Sequence, residues 1–164
     1  MKNKSMAYPI FFMTLLTVIT VFILAFLNQS TLAKVEENQN LELRRKILYV
    51  FDMYEEGKTS DDEVNKLFED HVVESDWNDA KLYTLMDGSE EKAYAVPFSG
   101  PGLWGSITGY IGVDADMNEV TGVEFISQNE TPGLGGRISE APYKDQYRNV
   151  DISNATDKYI INRP

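Results

Sequence analysis

From Ser5 to Ala33 the chain carries no charged side chain, and between Ile10 and Leu27 only Thr14, Thr17 and Thr20 break an otherwise apolar run. At ~1.5 Å per residue such a run reaches roughly 27 Å as a helix, about one hydrocarbon core. The threonines cost little there, because a helical hydroxyl bonds back to the preceding turn's carbonyl. Tyr8 and Pro9 mark the entry to the span, and Asn28 and Gln29 its exit. Lys2 and Lys4 precede it, whereas Lys34, Glu36 and Glu37 follow it. The positive-inside bias therefore puts the N-terminus in the cytoplasm and everything after the span outside. The competing reading is a signal peptide cut near Thr31-Leu32-Ala33. Signal h-regions run only about 7–15 residues, which favours an uncleaved anchor.

Beyond the anchor the period stays helical. Leu41, Ile47, Leu48, Phe51 and Tyr54 recur on one face, and Arg44, Arg45 and Lys46 lie on another, so a helix is expected over 35–54 with Gly57 as its stop. Ser60 and Glu63 form a capping box, followed by the apolar face Val64, Leu67, Phe68 and Val72. His71, the one histidine, reads as a surface or capping residue.

At Lys81 the pattern changes to strands. Residues 81–86 and 92–98 flank an Asp87-Gly88 turn, and 106–113 and 119–127 supply two more strands. Gly109 and Gly112 predict a bend, a bulge or a close approach of another group. A last helix is expected over 139–147, with Ser139 as N-cap and Pro142 in its first turn. The fold class is α+β: an N-terminal transmembrane helix, then a mostly antiparallel sheet with packed helices. The expected divisions are 1–33 for the cytoplasmic N-terminus and anchor, 34–80 for a helical neck, and 81–164 for the α+β domain.

Charge and composition narrow the function. Setting aside Lys2 and Lys4 leaves 26 acids against 13 bases. A domain that acidic repels nucleic acid. Without cysteine there is no disulfide, thiolate nucleophile or cysteine-ligated cluster. One histidine makes a transition-metal site unlooked for, and no side chain is expected to act as acid or base. Asp114, Asp116 and Asn118 imitate a calcium loop, but Glu119 and Phe125 stand where its glycine and bidentate glutamate belong, so this is a turn between strands. Asn154-Ala155-Thr156 fits the N-glycosylation pattern.

Two glycine-rich segments carry more. In Gly100-Pro101-Gly102-Leu103-Trp104-Gly105, either Trp104 folds into the core or Leu103 and Trp104 form a platform for a flat ligand. In 129–137, Gly133, Gly135 and Gly136 surround Leu134, with Thr131 and Arg137 alongside. This is either a long turn or a loop whose backbone amides meet an anion or the edge of a heterocycle. The spacing fits neither a Walker A loop nor the Rossmann glycine pattern.

The run Glu130-Thr131-Pro132-Gly133-Leu134-Gly135 resembles the hallmark of an FMN-binding domain. That domain occurs in the C subunit of the sodium-pumping NADH:quinone oxidoreductase and the G subunit of the Rnf electron-transport complex. Gly102-Leu103-Trp104 resembles the first of these in particular. The resemblance implies a membrane-anchored FMN-carrying electron-transfer subunit of an ion-translocating complex, with other membrane subunits as partners. It implies a flavin lined by Leu103, Trp104, Glu130, Thr131, Gly133, Leu134 and Gly135. In the family FMN is joined through its phosphate to a threonine in a Ser/Thr-Gly-Ala-Thr motif. The one approximation here is Ser153-Asn154-Ala155-Thr156-Asp157, where Asn154 replaces the glycine and Asp157 a hydroxyl residue. The expectation is therefore that the chain stops before the attachment motif, and that Thr156 is a poor substitute for it. The alternative function is a non-redox extracytoplasmic module that binds a ligand or partner.

Overall fold

The structure is a computed structural model and describes residues 7–78 and 80–153. Its contacts divide the chain into two units, residues up to Asn40 and residues from Leu41 onward.

The first unit is helical throughout its described residues and belongs to α1, Ala7–Val50. It is long and apolar enough to cross a membrane, and none of its most apolar window is buried. Thr17 and Thr20 donate to the carbonyls of Met13 and Leu16, both at 2.8 Å, so their hydroxyls are satisfied inside the helix. Asn28 and Gln29, read as an exit, lie within unbroken helix, as do Thr31-Leu32-Ala33. The expected anchor and the expected helix over 35–54 are one element. No glycine or proline occurs between Ile10 and Glu56, so nothing forces a break.

The second unit begins with the last turns of α1. The helix stops at Val50, short of Gly57, by a different device. Asp52 turns left-handed (φ 60°), Met53 N–H reaches the Leu48 carbonyl at 2.8 Å and Asp52 N–H the Tyr49 carbonyl at 3.1 Å. This is a Schellman closure with aspartate where glycine is usual. α2, Asp61–His71, starts at the expected cap, with Ser60 accepting from Glu63 N–H and Val64 fully buried; this is the Ser60 half of the capping box. His71 ends it, a ring nitrogen 3.3 Å from the Met86 carbonyl.

Among the described residues six strands form one sheet in simple sequence order: β1 Val72–Trp77, β2 Ala80–Asp87, β3 Glu90–Pro101, β4 Ser106–Asp114, β5 Glu119–Ser127 and β6 Val150–Asp151. Every pairing is antiparallel. The α+β expectation holds, with two additions. β1 begins at Val72, read as helix face, and β6 is a two-residue strand on the far edge. The β2–β3 turn sits one residue later than expected, with Gly88 at φ 65° between the paired Asp87 and Glu90.

The core of this unit packs Ile47 and Val50 of α1, and Phe51 just beyond its end, against Tyr83, Ala93 and Ala95. Of the three predicted purposes, the β4 glycines serve two, a break in register and a close approach. The register shifts beside Gly109 and again beside Gly112. A Cβ on Gly112 would come within 2.6 Å of Val50 Cγ1, and one on Gly122 within 2.7 Å of the Val50 carbonyl. The end of α1 thus rests on bare backbone. Beyond β5 the chain forms a 3-10 turn (Gly135–Ser139), α3 (Ala141–Lys144) and a second 3-10 turn (Asp145–Tyr147). The predicted single helix over 139–147 is thus broken, with Glu140 rather than Ser139 at the α3 N-cap. The Asp114 turn closes as a turn: its Oδ1 accepts from Asn118 N–H at 2.7 Å and Glu119 N–H at 2.8 Å.

Candidate functional site

Strands β3 and β4 run together to the pair Pro101–Ser106, so Gly102-Leu103-Trp104-Gly105 is the tip of a hairpin. Gly102 N–H donates to the Gly105 carbonyl at 2.7 Å and closes it. Trp104 is not a core residue: it is 68% exposed, and Leu103 is 82% exposed. Of the two readings, the core one is excluded by burial, because a core tryptophan gives up nearly all of its surface.

The second glycine segment follows β5. It does not lie open as a run of bare amides. Leu134 N–H and Gly136 N–H both donate to the Thr131 carbonyl, at 3.1 and 3.0 Å, and Arg137 N–H donates to the Leu134 carbonyl at 3.2 Å. The segment is a tight turn leading into 3-10 helix, and glycine is needed at Gly133, where φ is +74°. A Cβ on Gly133 would meet nothing within 4 Å, so its backbone faces free space. Leu134 is 74% exposed. Arg137 pairs with Glu140 across 3.3 Å.

Glu130 brings the two segments together. Its Oε1 accepts from Leu103 N–H at 2.8 Å and Trp104 N–H at 3.1 Å. Its side chain also lies against the bare faces of Gly102 and Gly135. Three large apolar side chains, Leu103, Trp104 and Leu134, are therefore displayed on two loops that share one carboxylate. Gly105 completes the contact, since a Cβ there would lie 3.1 Å from Asn129 Nδ2. Gly102, Gly105 and Asn129 were absent from the expected site. Their signal was the pair of glycines bracketing Leu103-Trp104.

Behind Leu134 lies a cavity of about 320 Å³ lined by Arg137, Ile138, Glu140, Pro142, Tyr143 and Gln146. Small-molecule pockets begin near ~300 Å³. An isoalloxazine ring needs apolar faces to lie against and backbone near its polar edge. The exposed apolar trio and the open backbone at Gly133 fit that group. Among the described residues no cluster of His, Cys, Asp or Glu could hold a metal ion. Thr156 lies outside the described residues.

A family model described as "FMN-binding domain" matches residues 102–160, a stretch that contains both loops. The C subunit of the Na(+)-translocating NADH-quinone reductase of Vibrio alginolyticus is 32% identical over 77 residues, covering 47% of this chain and 30% of that protein. Its Pasteurella multocida counterpart is 37% identical over 82 residues (49% of this chain, 32% of that one), and the Chlamydia pneumoniae one 44% over 61 residues (37% and 19%). The chain thus matches less than a third of the length of these curated relatives. The crystal structure of Shewanella oneidensis NqrC superposes with a TM-score of 0.60 at 22% identity, covering 71% of this chain and 72% of that one. The corresponding C subunit from Parabacteroides distasonis gives 0.57 at 23% identity, covering 73% and 70%. At those identities the likeness establishes the fold. The resemblance read from Glu130–Gly135 is borne out: over residues 102–160 this chain matches the FMN-binding domain family, on the fold of the C subunit of the Na(+)-translocating NADH-quinone reductase.

Proposed function

We propose that this chain is a membrane-anchored FMN-carrying electron-transfer subunit of a redox complex like the NADH-quinone reductase to which its relatives belong. The observation that carries the reading is a coincidence of place. The FMN-binding match covers the hairpin tip and the glycine turn, which display Leu103, Trp104 and Leu134 to solvent. Scattered exposed apolar residues need no explanation, but three large ones on two tied loops do.

In this reading Leu103, Trp104 and Leu134 bind the ring and shield it from water. The open backbone at Gly133 meets its polar edge, and Glu130, Thr131 and Gly135 belong to the same site. Bound FMN supplies one- or two-electron transfer, which no side chain of this chain provides. The anchor is α1, with its N-terminus in the cytoplasm and the sheet outside, as the Lys2 and Lys4 flank favours. Other membrane subunits are the partners for electron exchange. A covalent link would need a threonine phosphoester, for which Thr156 is the nearest candidate in this chain.

The test uses the full chain in detergent, in a Trp77→Phe background so that Trp104 is the only indole. Added FMN is expected to quench Trp104 fluorescence saturably, and Leu134→Asp to abolish the saturation. Quenching that stays linear in FMN, equal in both chains, would reject the reading.

A further inference from the structure

We propose that Glu130 is the positioning residue of this site: its carboxylate serves the protein rather than the flavin, and holds the Leu103–Trp104 tip in its outward pose against the glycine turn. The proposal rests on the flavin reading above for its purpose, but on geometry alone for its existence.

Consecutive amides, Leu103 N–H and Trp104 N–H, converge on Glu130 Oε1 at 2.8 and 3.1 Å. Backbone bonds to an ionised carboxylate are about twice as strong as neutral ones. Turning both amides inward sends both side chains outward, which accounts for a tryptophan and a leucine left mostly in water. The brace is itself held. Glu130 N–H donates to Gln128 Oε1 at 2.7 Å. The space the carboxylate occupies exists only because two neighbours are glycine: a Cβ on Gly102 would stand 2.3 Å from Oε1, and one on Gly135 3.0 Å from both Oε2 and the Glu130 Cβ. Oε1 is taken by the tip, and Oε2 faces the Gly135 backbone. Beside the Gly105–Asn129 approach, the Glu130 side chain is therefore what hydrogen-bonds the tip to the turn.

The hydrogen-exchange rates of the Leu103 and Trp104 amides, read by NMR on the full chain in detergent without flavin, test the brace. Both amides should be protected in the wild type although they sit at an exposed loop tip. Glu130→Gln keeps a neutral acceptor at Oε1 and should retain only part of that protection. Glu130→Ala should speed both amides about tenfold or more, the loss expected for bonds to a charged acceptor. Gly102→Ala, which leaves Glu130 in place but fills its space, should do the same. FMN affinity measured on the same four chains should fall about tenfold in the two alanine variants and by less in Glu130→Gln.

Amides that exchange equally fast in wild type and Glu130→Ala would overturn the proposal. So would FMN affinity unchanged in Glu130→Ala when the amides have been freed. If the amides respond as described while the wild type binds no FMN, the brace stands and the flavin reading fails.

Discussion

Arg148 Nη2 donates to the Tyr49 carbonyl at 2.8 Å, closing the last turn of α1 from a position 99 residues further along the chain. Its Nη1 also holds the Thr121 carbonyl at 3.0 Å, and its guanidinium lies 4.5 Å from the Tyr49 ring centroid. A fixed cation sits at the helix end, where it gives the Tyr49 carbonyl a second donor beside Asp52 N–H and meets partial negative charge. The sheet, the helix end and the segment after α3 meet on this one side chain. Arg148→Met is expected to lower the stability of the folded domain by about 1–3 kcal/mol. Urea unfolding should show it as a lower midpoint at unchanged slope. Arg148→Lys should recover only part, because a single ammonium cannot span both carbonyls.

Lys144 and Glu124 form an ion pair with side-chain exposures of only 11% and 8%. Lys144 also stands 4.2 Å from the Tyr49 ring centroid. Removing one charge strands the other, so Lys144→Met should destabilise by about 3–5 kcal/mol. The double variant Glu124→Leu/Lys144→Met should be less destabilised than the single. A double-mutant cycle in urea measures the difference.

Alkali should weaken the fold in a defined window. Burial, helped by the hydrogen bond from its hydroxyl to Asp145, raises Tyr49 from its ordinary 10.0 to about 12. Burial and the bond to Tyr143 raise Tyr147 to about 12 as well. Burial raises Tyr83 and Tyr110 in the same direction. Each folded-state value lies above the unfolded one, so the folded state keeps its proton longer. The stabilisation is complete below pH 10 and is lost as pH climbs from 10 to about 12. Urea midpoints against pH should fall across that range, and Tyr49→Phe should flatten the fall.

Glycine substitutions should separate close approach from mere loop composition. Gly112→Ala would place a Cβ 2.1 Å from Thr121 Oγ1 and 2.6 Å from Val50 Cγ1. Gly122→Ala meets the Val50 carbonyl at 2.7 Å. Each should cost about 1–3 kcal/mol or more as overpacking. Gly133→Ala meets no atom but keeps a left-handed φ of +74°, and should cost about 1 kcal/mol. Gly100→Ala has open space and ordinary backbone, and should be close to neutral. Thermal denaturation of the four chains ranks them.

The sequence shows where strong local signals act. The apolar anchor, the Ser60 cap and the strands β2 to β5 all carried period or capping information. β1 did not, because Glu74, Ser75 and Asp76 of an edge strand face water on both sides and erase the alternation. β6 is too short to have a period. Asn28 and Gln29, read as the exit of the span, do not end the helix, because polar residues do not break a helix unless the backbone is also freed. Both glycine segments stood out, and so did Leu103, Trp104 and Leu134. That Glu130 ties them was not legible, because 27 residues separate it from Leu103 and only the β4–β5 pairing brings them together. The resemblance to the FMN-binding domain came from a hexapeptide, whereas the tilt of Trp104 into solvent came from the fold.

A separate, more apolar cavity, about 330 Å³ and lined by Trp77, Pro97, Phe98, Thr108, Tyr110 and Ile126, offers a flat ring a different place to bind. Mapping amide shifts on the full chain as FMN is added decides between them most directly. The account predicts perturbations centred on Gly102–Gly105 and Thr131–Arg137, saturating together, with the Trp77 indole unmoved. Perturbations centred on Trp77 and Phe98, or none at the two glycine loops, would contradict it.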